Sequence, residues 1–170
     1  MKAITIYQPW ASLIACGAKK CITRPLKILY RGPIAIYAGL VAAHELNRQT
    51  SEAIARAFED YAPIEYLPGY IAALPHGAIV ATAELVECWS IVSHPGADTD
   101  RARRITVGGE LNVPKHHPRF HDVIVPSKTE ILFGDWRPGR YAWELANVQE
   151  ITPIPARGRL GLWNWEGRAT

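Results

Sequence analysis

The chain reads as an α+β protein, a mixed and mostly antiparallel β-sheet curled into a small barrel with flanking helices. Three observations predict it. Strand patterns lie near both ends of the chain, at residues 2–6, 139–145 and 161–165. Residues 77–91 carry the strongest strand signal and are long enough to bend from one side of a barrel to another. Helical patterns fall between these strands, as in a sheet flanked by helices.

The elements follow in order. After the first strand, Gln8-Pro9-Trp10-Ala11-Ser12-Leu13-Ile14 predicts a short helix begun by proline, whose missing N–H has no intrahelical partner in a first turn. Gly17 suits the left-handed position that ends it. An extended segment then carries Lys19, Lys20, Thr23 and Arg24 and stops at Pro25. Cations directly after a glycine stop crowd whatever lies under the helix, which points to a site for an anionic or carbonyl-bearing group. Pro33-Ile34-Ala35-Ile36-Tyr37-Ala38 predicts a buried strand. Residues 41–60, with Leu46, Ile54 and Phe58 among alanines and charges, predict an amphipathic helix. Residues 63–73 hold a second short helix broken at Pro68-Gly69.

Residues 93–128 read as an irregular insertion, punctuated by Pro95, Pro114, Pro118 and Pro126. An irregular span of that length in a compact domain is functional or partly disordered. Tyr141, Trp143 and Leu145 then share one face of a closing strand, with Arg140, Ala142 and Glu144 on the other.

Composition bounds the function. At 170 residues and 18.9 kDa, the chain fits a single domain over 1–170 with room for a real core. Apolar residues at 48% against 21% charged indicate a globular protein. The net charge of +3 permits an anionic partner but is low for a dedicated duplex binder. Cys16, Cys21 and Cys88 are odd in number with no close pair, so a reducing compartment is expected rather than a disulfide framework. Without an apolar leader or a membrane-length run, the expectation is a cytoplasmic protein away from the membrane. Oligomeric state is not legible.

No cofactor is implied. Gly108-Gly109 and Gly158-Arg159-Leu160-Gly161 lack the lysine and the strand–loop–helix context of a phosphate loop. His116, His117 and His121 lack zinc-site spacing, because Pro118 breaks the helix that would align them, so no metal is expected. Cys16, in the last turn of the first helix, faces a dipole that raises a thiol pKa, which excludes it as a nucleophile.

The remaining candidates are cations, one carboxylate and aromatic rings. Glu84 lies in the most apolar strand, where a carboxylate is costly unless cations such as Lys19 or Arg24 satisfy it. Glu87 falls on the opposite strand face and is expected in solvent. Arg101, Arg103 and Arg104 form a short basic run that is either a solvated loop or a nucleic-acid contact. Trp10, Tyr30, Tyr141 and Trp143 are either core residues or stacking faces beside cations.

Gln8-Pro9-Trp10-Ala11-Ser12-Leu13-Ile14, Gly17-x-Lys19, Arg24 and Tyr30-Arg31-Gly32-Pro33-Ile34-Ala35-Ile36 resemble the start of an ASCH domain (activating signal cointegrator homology). Residues 139–145, with Pro153-Ile154-Pro155-Ala156-Arg157-Gly158 and Leu162-Trp163, resemble its closing strands. The resemblance implies a PUA-like β-barrel that binds RNA or a nucleotide or modified nucleoside in a cationic cleft between the first helix and the barrel. Trp10, Ser12, Arg24, Tyr30, Arg31, Tyr141 and Trp143 would contact the ligand. It also implies an alternative, since some members remove the acetyl group from N4-acetylcytidine and another is associated with RNA cleavage. Those amidohydrolases use a lysine, a threonine three residues on and a glutamate from a later strand.

Lys19 matches the motif lysine and Glu84 the strand glutamate, but the third position is Ile22, which can be neither nucleophile nor base. A one-residue bulge would restore the pattern with Lys20 and Thr23 instead. Tyr37 is a second departure, at a position commonly histidine in the family.

Overall fold

The computed structural model describes residues 1–42, 46–61, 70–92, 101–104, 123–124 and 126–167. The first strand, β1 (Lys2–Gln8), lies between two others. It pairs in parallel with β3 (Gly32–Ala42), from Lys2 opposite Ile34 to Ile6 opposite Ala38. On its other edge it pairs antiparallel with β8 (Leu162–Asn164). With neighbours on both sides, Ala3 and Ile4 are fully buried.

Between β1 and β3 come the short helix α1 (Trp10–Ala15) and β2 (Cys21–Arg24). After β3 the chain forms α2 (Arg48–Tyr61), α3 (Tyr70–Ala73) and the long strand β4 (Ala78–Val92). Then follow β5 (Arg101–Arg104), β6 (Val123–Ile124), α4 (Lys128–Leu132), β7 (Tyr141–Pro155) and β8. The sheet order is β2-β7-β4-β3-β1-β8, with β5 on β4 and β6 on β5. The protein is therefore α+β with a mixed sheet. Among the described residues the two ends of that order do not pair, so the sheet is not closed by hydrogen bonds.

Packing divides the chain into two compact units. One comprises Met1–Lys20, Gly32–Glu84 and Ala146–Thr170, and the other Cys21–Arg31 and Leu85–Leu145. Strands β4 and β7 each run through both.

In the first unit Ala3, Ala35, Tyr37, Ile79, Trp163 and Trp165 form a core cluster, with Ile151, Ile154 and Ala156 packed on it. The Tyr37 and Trp163 rings meet edge to face at 5.8 Å and 80°, an arrangement the aromatic quadrupole favours. Helix α2 buries Thr50, Ile54, Ala57 and Phe58, one face of a 3.6-residue period. Its start is set by Asn47, whose Oδ1 accepts from the Thr50 N–H at 2.9 Å.

The second unit centres on Cys21, Trp89, Ile91, Trp136 and Ala142. Ser127 caps α4 by accepting from the Glu130 N–H at 3.0 Å. Glu130, buried, accepts instead from the Cys21 N–H at 3.1 Å, and its carbonyl takes the Trp136 indole N–H at 2.8 Å.

Two sequence expectations are corrected. The helix expected from residue 41 starts at Arg48, because β1 still offers Gln8 as a partner to Ala42 and β3 continues that far. The irregular span 93–128 includes strands: residues 101–104 pair antiparallel with Val92 to Trp89, and Ala102 and Arg103 with Ile124 and Val123. Strand pairing uses backbone groups, so an arginine-rich run serves a free edge as well as an apolar one. The second short helix is seen as α3, while Pro68-Gly69 lies outside the described residues.

Gly158 provides a test of this packing. A Cβ there would lie 2.2 Å from Tyr37 Cε1 and 2.5 Å from Cζ, and the ring is held by Trp163. Gly158→Ala is expected to destabilise the protein by about 1–3 kcal/mol, the usual cost of overpacking, read as a lowered urea midpoint. A variant as stable as the parent would contradict the packing.

Candidate functional site

In the first unit, the junction between β1 and α1 is organised by Gln8, which has no solvent exposure. Its amide nitrogen donates to Ser12 Oγ at 2.8 Å and to the Pro75 carbonyl at 2.7 Å, and its Oε1 accepts from the Ser12 N–H at 3.1 Å. The side chain thus occupies a helix start where no N-cap side chain bonds the helix. Pro9 stands at the N-cap, one residue before the expected position, after a cis peptide. Ser12 is buried within this network, while Trp10 is half-buried.

Gly17 takes the left-handed conformation predicted for it, with φ +84°. Its N–H donates to Ile14 O at 2.9 Å, and the Lys19 N–H donates to Leu13 O at 2.9 Å. These bonds satisfy last-turn carbonyls and turn the chain back under the helix. Lys19 is left with 4% of its surface exposed, whereas Lys20 is in solvent. Burying a lysine is costly unless its ammonium is hydrogen-bonded or paired.

A cavity of about 70 Å³ lies beside α1, lined in part by Ser12, Cys16, Phe58, Leu74 and Glu150. The Cys16 thiol donates to Leu13 O at 3.5 Å. Burial, more than any nearby charge, pushes its pKa up, with Glu150 adding to the rise. The thiol is thus disfavoured as a nucleophile, and the leading cause is desolvation rather than the helix dipole.

Glu84 is the main correction in this unit. It is exposed, and its Oε2 accepts from Asn147 Nδ2 at 2.9 Å. The residue buried along β4 is Glu87, which was expected in solvent. The two do lie on opposite faces, as the strand period requires. Leu85, 1% exposed, takes the inward face and carries Glu87 with it, leaving Glu84 and Val86 outside.

In the second unit Glu87 meets Arg31. Arg31 Nη2 donates to Glu87 Oε1 at 2.5 Å, and the same oxygen accepts from the Cys88 N–H at 2.9 Å. Arg31 Nη1 donates to the Ile28 and Tyr30 carbonyls at 3.0 and 2.9 Å, while its buried Nε has no hydrogen-bond partner among the described residues. The guanidinium therefore closes the loop 25–31 onto its own carbonyls. Burial also raises the Cys88 thiol pKa, and this outweighs the lowering by Arg31.

Strand β2 pairs one to one with β7, Cys21 to Arg24 against Glu144 to Tyr141, so no bulge interrupts it. Ile22 is buried at 3% exposure. Thr23 is half-buried, and its hydroxyl oxygen accepts from the Asp135 N–H at 2.9 Å. The bulge that would align Thr23 with Lys20 is thus missing from the paired residues of β2. Trp143, expected as a stacking face, is 7% exposed and donates its indole N–H to Leu26 O at 3.1 Å. Arg24, Tyr30 and Tyr141 are half-buried. Arg101, Arg103 and Arg104 sit in β5, opposite Val92, Ser90 and Trp89. His116, His117 and His121 lie outside the described residues.

Gln8, Glu87 and Glu130 were missed as organising residues. Only Glu130 had a sequence signal, in the capping pattern Ser127-x-x-Glu130. No protein-family model matches the chain, and no curated protein matches it. Among the described residues no helix is long and apolar enough to cross a membrane.

Two outcomes follow from the second unit. Glu87→Ala strands a largely buried guanidinium and is expected to cost on the order of 2 kcal/mol, less than a fully buried pair because Arg31 keeps some solvent; urea unfolding measures it. Asp135 is held below its ordinary value of 3.8, first by the side-chain hydrogen bond from Arg137, with Arg140 adding to it. A lowered folded pKa gives stability that is complete above the unfolded value and lost as pH falls through the folded one. The melting-temperature gap between the parent and Asp135→Asn is therefore expected at about pH 6 and to close below pH 3.8. A gap that widens in acid would contradict the assignment.

Proposed function

We propose that this chain is an ASCH-like domain, its sheet wound as a PUA-like barrel, that binds RNA or a nucleotide-like ligand. Lys19 is the principal cation of that site, and Trp10 is its further contact. The observation that carries this reading is the burial of Lys19. Lys20, Lys27 and Lys128 are exposed, whereas Lys19 is held under α1 by the bonds of the Gly17 turn. A cation set in a low-dielectric environment interacts more strongly with a phosphate or carbonyl oxygen than one in water.

Binding is favoured over hydrolysis by three observations. Ile22 offers no reacting group, the Thr23 hydroxyl serves a backbone N–H, and Glu84 lies in solvent bonded to Asn147. Among the described residues, these three positions give no nucleophile with an adjacent base.

Fluorescence titration with short single-stranded RNA and a panel of nucleosides tests the proposal. Saturable binding is expected at low salt, and RNA binding should weaken as salt rises through counterion release. Lys19→Met, which keeps the buried stem, should lose about tenfold in affinity, the scale of one charge-assisted contact; Lys20→Met should bind like the parent. Incubation with N4-acetylcytidine should release no acetate. Absence of saturable binding to any of these ligands would overturn the proposal.

A further inference from the structure

The loop after β7 is fixed by its backbone and by small residues, not by its long side chains. The Ala156 N–H donates to Gly77 O at 3.0 Å. Gly158 presses against the Tyr37 ring so closely that a Cβ would overlap it. The Thr5 hydroxyl donates to the Arg159 carbonyl at 2.5 Å, and Thr5 Oγ1 in turn accepts from the Trp163 indole N–H at 3.3 Å. These ties run from β1, β3 and the turn before β4 onto three residues of the loop, Ala156, Gly158 and Arg159.

The long side chains of the loop point away from this packing. Arg157 and Arg159 are exposed, and neither side chain has an ion pair or hydrogen bond among the described residues. Leu160, between Arg159 and Gly161, is 89% exposed, more than any other large apolar residue of the described chain. Unpaired surface arginines are common on mobile loops. Here they project from a backbone held at several points, so less conformational freedom is lost when a partner binds. Guanidinium groups match phosphate oxygens in geometry, and an apolar side chain beside them can lie against a ribose or base face.

We infer that Arg157, Arg159 and Leu160 form a pre-shaped contact for the phosphate backbone of single-stranded RNA, separate from the Lys19 position. The inference rests on the proposed RNA binding and extends it from a nucleoside-sized contact to a stretch of strand. An acidic peptide or an anionic lipid surface would meet the same charges, but neither gives the regular phosphate spacing and sugar faces that suit the arginine–leucine set.

The test compares the full chain with Arg157→Ala/Arg159→Ala and with Lys19→Met. The probes are a labelled single-stranded RNA over a salt series, nucleosides, a polyglutamate peptide and phosphatidylserine vesicles. The double variant should melt like the parent, because its side chains hold nothing in place. Its plot of log affinity against log salt should be shallower by about 1.4, the value for two lost phosphate contacts on a single strand. Its nucleoside binding should be unchanged. An unchanged salt slope overturns the inference and leaves the Lys19 reading intact. A reduced slope in the double variant, with no effect of Lys19→Met on any ligand, supports the loop and overturns the Lys19 reading. Polyglutamate or vesicles bound as tightly as RNA by the parent, or no RNA binding at all, overturns the inference.

Discussion

The side chain of Gln8 is the constraint on which the first unit depends. It is fully buried, and an unsatisfied buried amide costs about 1–3 kcal/mol. Its bonds to Ser12 Oγ, the Ser12 N–H and the Pro75 carbonyl hold the last residue of β1, the first turn of α1 and the approach to β4 in one place. A six-residue helix has little intrinsic stability. Fixed at its start by Gln8 and at its end by the Gly17 turn, α1 has only one way to lie on β1 and β3. The position of Lys19 follows from that placement, since the residue is reached within four positions of Ala15.

The second unit solves a different problem. The loop 25–31 exposes Leu26 and Leu29 at 73% and 60% and so cannot be held by its own apolar contacts. It is held by polar ones: Arg31 on its own carbonyls and on Glu87, and the Trp143 indole on Leu26 O. Glu87 is fixed in turn by the Cys88 N–H. Such a cluster adds little net stability against a well-packed apolar alternative, but removing one partner is costly, so it specifies the loop geometry more than it strengthens the fold.

Much of the fold was legible because its signals are local. The Gly17 stop, the apolar run of β3 and the length of β4 each depend on a few neighbouring residues. The site was less legible because its decisive facts are long-range. Strand period alone puts Glu84 and Glu87 on opposite faces, yet it takes the core position of Leu85 to say which face is buried. Trp143 has the composition of a stacking platform, and only the partner Leu26 O shows it to be a loop anchor. The pairing of residues 101–104 depended on an edge supplied by β4, which no pattern within the arginine run announces. That Ile22 carries no reacting group is legible in the sequence, because it needs only the chemistry of the side chain.

The claim that joins these parts is that α1 and its following turn, together with the pinned loop after β7, present cations to a nucleic-acid strand. Photocrosslinking of a 4-thiouridine-containing single-stranded RNA to the intact chain, followed by peptide mapping, measures it most directly. Crosslinks are predicted within residues 10–20 and 156–161. Crosslinks confined to other segments, or none under conditions where a known RNA-binding protein crosslinks well, would contradict it.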